Sequence, residues 1–509
     1  MTGSRVGHRE FAVADQTCIR RQGRRGYVAM KTRMQLFAGV ALVCVTAFAP
    51  RAAHAQRLRV APAVRSFVKV DTNVLALANV RVIDGTAAAA KEQQTIIVRD
   101  GVIAAIGNVA TTAIPAGALV MDLAGKTVMP GLVMVHEHLF YPTGAGVYGN
   151  FAESFSRLYL AGGVTSMRTG GNMNGFGELA TARATNAGEK AGPFIDATAP
   201  YLEGPGLGLA QVRTLVDAAD ARKQVEYWAG EGATSFKAYM NITRAELGAA
   251  IQAAHARGFK VTGHLCSVTY REAADLGIDN LEHGFFAAND FVPNKQPDKC
   301  VTRGGGAQQS IASIDPESTE VQALFKHLID KGVTITSTLT IFETFTPGRP
   351  MPRGLDLLLP QLRETFEQRF ASTAKQTGSI YTKLFPNGMA MERAFAKAGG
   401  TLVVGTDPTG GGGLVAGYSN QRALELLVEA GFTPLEAIRI GTLNGANYIG
   451  RGDKTGSLVV GKLADLLVIN GNPAQQIAQV QNVELVFRQG VGFDPVALIE
   501  SVRGKVGLY

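Results

Sequence analysis

Apolar and polar positions follow two different periods along this chain. Over residues 74–83, 95–106 and 118–122 the texture is strand-like, and Asp84-Gly85, Asp100-Gly101 and Ala124-Gly125 supply the turn residues between them. The same texture returns at 457–460, 465–470 and 483–488, which points to one small β domain assembled from both ends, 56–129 and 456–509. Between these ends the period switches repeatedly from helix to strand: 151–161 then 164–168, 209–231 then 234–239, 245–257 then 260–264, 270–276 then 279–283, 319–331 then 333–339, and 389–398 then 402–407. Helices alternating with strands at this spacing predict a parallel sheet with right-handed crossovers. The number of units favours a closed (β/α)8 TIM-like barrel over residues 130–455, with an open doubly wound sheet as the alternative. Residues 285–318 interrupt the rhythm with Pro, Asn, Lys and Gly304-Gly305-Gly306. An irregular stretch of that length is either a substrate lid on the catalytic rim or a surface insertion.

Charge changes the picture only at the N-terminus. The 509-residue chain has a net charge of +8, but residues 1–55 hold nine Lys or Arg against two acidic residues, leaving 41 basic and 40 acidic side chains in the rest. Nucleic-acid binding thus loses its compositional support. Residues 30–34 are a short positive start, 36–49 are apolar, and Ala53-His54-Ala55 is a small-x-small site, the layout of a signal peptide cleaved near Ala55. Export to the periplasm or medium is expected, with no stable membrane span once residues 1–55 are removed, because the apolar stretch is shorter than the ~20 residues that spanning requires. Of four cysteines, Cys266 and Cys300 lie outside this leader. Two unpaired thiols are the favoured reading, and a Cys266–Cys300 disulfide is the alternative that an oxidising compartment allows. A homo-oligomer is expected for a chain of this size.

The candidate chemistry sits where strands end. His136-Glu137-His138 follows Pro130-Gly131 and an apolar run, and side chains at i and i+2 of an extended segment point the same way, so both imidazoles can share a metal ion. His264, His283 and Asp407 each follow a short strand, and Lys237 lies in Phe236-Lys237-Ala238-Tyr239. Active-site residues of α/β barrels lie at this C-terminal end. Histidine nitrogen and carboxylate oxygen are the donors of catalytic zinc. Asp407 has two roles, metal ligand and proton acceptor for an attacking water, against the alternative of a turn residue before Pro408. Lys237 is costly as an unpaired buried cation. It is either a salt-bridged lysine or, carboxylated by CO2, a bridging carboxylate. Tyr239 shares a face with Lys237 and either meets substrate or packs the barrel. Arg168 either pairs with a substrate carboxylate or holds a neighbouring acid. His255 and His327 fall within helices and read as structural or solvated.

As a set, these residues resemble the amidohydrolase superfamily, especially members similar to bacterial prolidases and imidazolonepropionases. The likeness spans about residues 74–490, through the first-strand motif Pro130 to His138, Lys237, His264, His283, Gly405-Thr406-Asp407, and the return segment Gly456 to Leu466. The resemblance implies two divalent ions, by expectation Zn2+: His136 and His138 on one, His264 and His283 on the other, carboxylated Lys237 between them, and Asp407 on the first ion as proton shuttle. It implies hydrolysis of a C–N amide bond in a small peptide-like or N-acyl amino acid substrate. The alternatives are hydrolysis of a lactone, carbamate or cyclic amide, deamination, or a metal-binding protein without catalysis. Two departures stand out: Thr169 where relatives have Asp, and Ala199 to Gly204 without a Gly-Gly-His segment.

Overall fold

Strands from opposite ends of the chain meet in one nine-stranded sheet. The computed structural model describes residues 57–144, 146–301 and 306–508, so the leader expected over 1–55 lies outside the described residues. In the sheet, Val68–Val70 is followed in space by Val491–Phe493, Val483–Arg488, Leu466–Ile469, Thr127–Pro130, Val74–Val82, Lys91–Arg99 and Val102–Asn108, with Leu119–Asp122 beside Val74–Val82. Two antiparallel seams join the ends, Leu466–Ile469 with Thr127–Pro130 and Val68–Val70 with Val491–Phe493. Leu75, Leu77, Val128, Leu466, Leu485 and Phe487 form the core of this layer. The strand expected at 457–460 is absent: Gly456 and Gly461 take φ of 82° and 94°, and the segment turns so that Leu458 is buried while Val459 and Val460 are exposed.

Eight parallel strands among the described residues form the second layer. Leu132–Glu137, Val164–Thr169 and Phe194–Asp196 make one sheet, and Ser235–Ala238, Lys260–Gly263, Asn280–Glu282, Thr334–Ser337 and Leu402–Val404 make another. Bridges Thr198 to Ser235 and Leu202 to Ala238 link the two sheets on one side. On the other, the amides of Thr406 and Asp407 each lie 3.1 Å from the His136 carbonyl oxygen. The expected barrel therefore takes a distorted, TIM-barrel-like form with an auxiliary β sheet.

Local chemistry explains the helix boundaries. Thr243 with Glu246 and Thr269 with Glu272 form capping boxes that start Arg244–His255 and Tyr270–Leu276, and Gly277 ends the latter in the left-handed region. The helix read at 209–231 covers only Ala218–Gly230, because the Asp217 carboxylate caps the Asp220 amide and fixes the start there. Tyr381–Lys397 begins before the predicted 389 and carries Pro386 in its second turn. Each strand end faces the loops that precede these helices, and that rim holds the site. No helix among the described residues is long and apolar enough to cross a membrane.

Candidate metal centre

His136 and His138 emerge from Leu132–Glu137 on one face, as the two-residue period requires, and both line a cavity of about 440 Å³ at the rim. Glu137, between them, points to the other side, where its carboxylate accepts hydrogen bonds from Thr406 Oγ1 at 2.5 Å and Asn420 Nδ2 at 2.9 Å. Asp407 Oδ1 lies 3.1 Å from His138 Nε2 and 3.7 Å from His136 Nε2. Donor atoms of His136, His138 and Asp407 all lie within 4.8 Å of one another, and all three residues are buried. His264 and His283 sit alongside, their ring centroids 4.3 Å apart, and Asp407 Oδ2 is 3.7 Å from His283 Nδ1. Lys237 and Tyr239 line the same cavity. The structure thus brings together every residue read as a metal ligand. His255 instead pairs with Asp279 on the flank, and His327 with Asp275.

Close backbone approach makes this possible. A Cβ on Gly170 would stand 2.3 Å from the His136 ring, and one on Gly405 would stand 2.4 Å from His136 Cβ. His283 and Asp407 have φ of 69° and 51°, left-handed values that are rare for residues other than glycine and tend to cluster at functional sites.

Burial sets the charge states. It pushes the His264 imidazole down to about 3, aided by Lys237, and His138 down to about 4, so both are neutral, the form that binds metal. Burial alone would raise the Asp407 carboxyl, but His136 and His138 hold it well below the carboxylate range. Burial brings Lys237 down to about 8 against the opposing pull of Glu282. Burial also pushes His283 down, whereas Glu282 and Asp407 hold the His136 imidazole up against burial. A donor set of imidazole nitrogens and an ionised carboxylate suits a divalent metal ion.

Sequence reasoning missed Glu282. Its carboxylate meets His136 Nδ1 at 2.6 Å, Arg168 Nη1 at 3.1 Å and Lys237 Nζ at 3.5 Å, wholly buried. Burial alone would raise this acid, yet His136, Lys237 and Arg168 hold it well below its usual range. Carboxylates that orient a ligating histidine through its other ring nitrogen are a common support of metal sites. Arg168 does not reach the cavity: it bonds Ser235 Oγ at 2.6 Å, Thr262 Oγ1 at 2.8 Å and the Val135 carbonyl at 3.0 Å besides Glu282. The expectation that Arg168 contacts a substrate carboxylate is corrected to the other reading, an arginine that holds a neighbouring acid. Thr338, also unread, bonds His283 Nδ1 at 2.9 Å.

With this geometry, the relationships to known proteins fall into place. The amidohydrolase family model matches residues 127–492. The chain belongs to the amidohydrolase family. Among solved structures, this amidohydrolase is similar to a candidate prolidase from Bifidobacterium longum, at 25% identity over 84% of this chain and 99% of the other, with a TM-score of 0.62. It shares its fold with a Xaa-Pro dipeptidase that holds methionine in its active site, at 19% identity, 83% and 100% coverage and a TM-score of 0.63. A dihydroorotase from Pelobacter propionicus is 39% identical over 94 residues, 18% of this chain; the chain spans 21% of that curated relative's length.

The wall of the amidohydrolase cavity comes partly from the irregular stretch at 285–318: Phe286, Asn289, Val292, Val301 and Gln308 line it. Cys266, two residues after His264, is bonded to Cys300. The favoured reading of two free thiols is corrected. The chain after His283 returns to the chain after His264 through cysteines 34 residues apart, the pairing that stood as the alternative for an oxidising compartment.

Proposed function

We propose that this amidohydrolase hydrolyses a C–N amide bond, releasing a carboxylate and an amine. The observation that carries this reading is the convergence of His136, His138 and Asp407 donors within 4.8 Å in a buried rim site, with Lys237, His264 and His283 in the same cavity. In its fuller form the centre is binuclear: His136, His138 and Asp407 would hold one ion, His264 and His283 would hold the other, and Lys237, carboxylated by CO2, would supply a further carboxylate ligand. Zinc suits these nitrogen and oxygen donors. Bound there, such ions supply Lewis-acid polarisation of a carbonyl and water acidic enough to attack at neutral pH.

The chain's own groups do the remaining work. Asp407 accepts the proton of the attacking water and returns it to the leaving nitrogen. Tyr239, whose phenol burial keeps protonated, donates a hydrogen bond to the substrate carbonyl side. Glu282 holds the His136 ring in place through Nδ1. Export with cleavage near Ala55 belongs to the same proposal, and the Cys266–Cys300 bond supports an oxidising destination.

The test is product analysis on a panel of linear amides, with bound metal measured in parallel. A new amine and a carboxylate are expected, whereas ammonia release alone identifies a deaminase. Lys237→Ala is expected to lose bound metal and turnover together; unchanged metal content removes the bridging role. Asp407→Asn is expected to lower kcat by about 10²–10⁴ with the fold intact.

A further inference from the structure

The cavity has a second pole that the metal-ligating residues do not use. Phe342, in the short helix Leu339–Glu343 that follows the seventh parallel strand, presents its ring 6.1 Å from His283 in an edge-on arrangement. Its face stacks on Phe286 with centroids 3.8 Å apart and planes 7° from parallel. Phe345 continues the wall, its ring 5.4 Å from Tyr381, and Arg369 covers Phe345 at 4.9 Å. Phe342, Phe345 and Tyr381 are only half-buried although all three line the cavity, so their ring surface is available to a ligand. Gln308 Nε2 donates to the Tyr381 hydroxyl at 3.2 Å, which holds that ring at the wall.

Resting on the amide-hydrolase reading, we infer that the substrate carries an aromatic or similarly planar apolar group beside its scissile bond, seated against Phe342, Phe345 and Tyr381. Two chemical facts support this. Aromatic rings reward a planar partner with both buried area and ring-on-ring geometry, and the edge of this wall begins one ring's breadth from a metal-ligand histidine. A cationic group placed on the same wall would be desolvated beside the Arg369 guanidinium, with no carboxylate among the wall residues Phe342, Phe345, Tyr381 and Gln308. The cavity volume of about 440 Å³ lies within the range of small-molecule sites, so the group and the reacting centre fit together.

The test measures binding to the zinc-loaded full chain, independently of turnover. Acetohydroxamate, benzohydroxamate and 2-naphthohydroxamate share one metal-binding group and differ only in the attached group. The aromatic pair is expected to bind about tenfold tighter or more than acetohydroxamate. Phe345→Ala and Phe342→Leu, each checked for an unchanged unfolding transition, are expected to bring that ratio toward one. Equal affinities, no binding by the aromatic pair, or a ratio untouched by both substitutions overturns the inference. Hydrolysis of matched N-benzoyl and N-acetyl amides separates the two levels of the argument. Tight aromatic binding without cleavage of any amide defeats the amide reading alone. Cleavage without aromatic preference defeats the pocket inference alone.

Discussion

At the scale of single residues, Glu282 decides whether three buried nitrogen groups coexist. Its carboxylate is within 2.6 to 3.5 Å of His136, Arg168 and Lys237, all nearly solvent-free. Neutralising one member of a buried ionic cluster leaves the rest uncompensated. Glu282→Gln is therefore expected to cost the metal-free chain, in which the Lys237 amine is free, about 3–5 kcal/mol in denaturant unfolding and to weaken metal binding by about 10–100-fold. Glu392, wholly buried beside Gly284, tests electrostatics away from the ligands. Burial raises its carboxyl from the ordinary 4.5 to about 8, against the Ser337 hydroxyl. The unfolded chain ionises this group from about pH 4.5, whereas the folded chain keeps it protonated to about 8, so stability falls as pH rises through that window. Glu392→Gln is expected to flatten that decline in unfolding curves measured from pH 4 to 9; an unchanged pH profile contradicts the assignment. His136, His138, Lys237, His264 and Asp407 were legible because strand alternation and strand ends fix where their side chains go. Glu282 was not: the left-handed backbone at His283 breaks alternation, so neighbouring side chains serve the same site.

At the scale of elements, the excursion after His283 is held to the loop after His264 by more than its disulfide. Asn289 Nδ2 donates to the Cys266 and Val268 carbonyls at 2.9 and 3.1 Å, and Lys295 Nζ to the Ser267 carbonyl at 2.6 Å. Asp298 receives Arg244 at 3.0 Å from both Nε and Nη2. Asp290 accepts the amides of Tyr270 and Arg271, fixing the excursion to a helix start. Joint replacement of Cys266 and Cys300 by Ser is expected to cost about 2–4 kcal/mol. Because the strapped segment is cavity wall, KM is expected to rise while bound metal stays constant. Equal KM in the replaced chain removes the excursion from substrate binding. The sequence marked this stretch as irregular but not its destination, since Asn, Lys and Asp contacts with remote carbonyls and amides have no period. Residues 340–380, with the aromatic wall, escaped for the same reason: Phe342 and Phe345 sit in a short helix and a turn, without an amphipathic repeat to announce them.

At the scale of the whole molecule, the auxiliary sheet and the barrel-like strands are fastened at the point where the metal-binding strand begins. The Gly131 amide bonds the Asp465 carbonyl at 3.0 Å, and Lys126 Nζ meets Glu484 at 2.5 Å, so the far end of the chain anchors the segment leading to His136. The strand and helix alternation made the barrel readable. Its distortion was not, because the seams depend on single contacts such as Thr198 with Ser235. This frame presents the metal centre proposed to act on an amide. The most direct measurement follows amide hydrolysis and bound metal together as a chelator strips the chain and Zn2+ is added back. Turnover is expected to vanish with the metal and return with it, while the fold, read by circular dichroism, persists. A metal-free chain that cleaves the same amide at the full rate would contradict the claim.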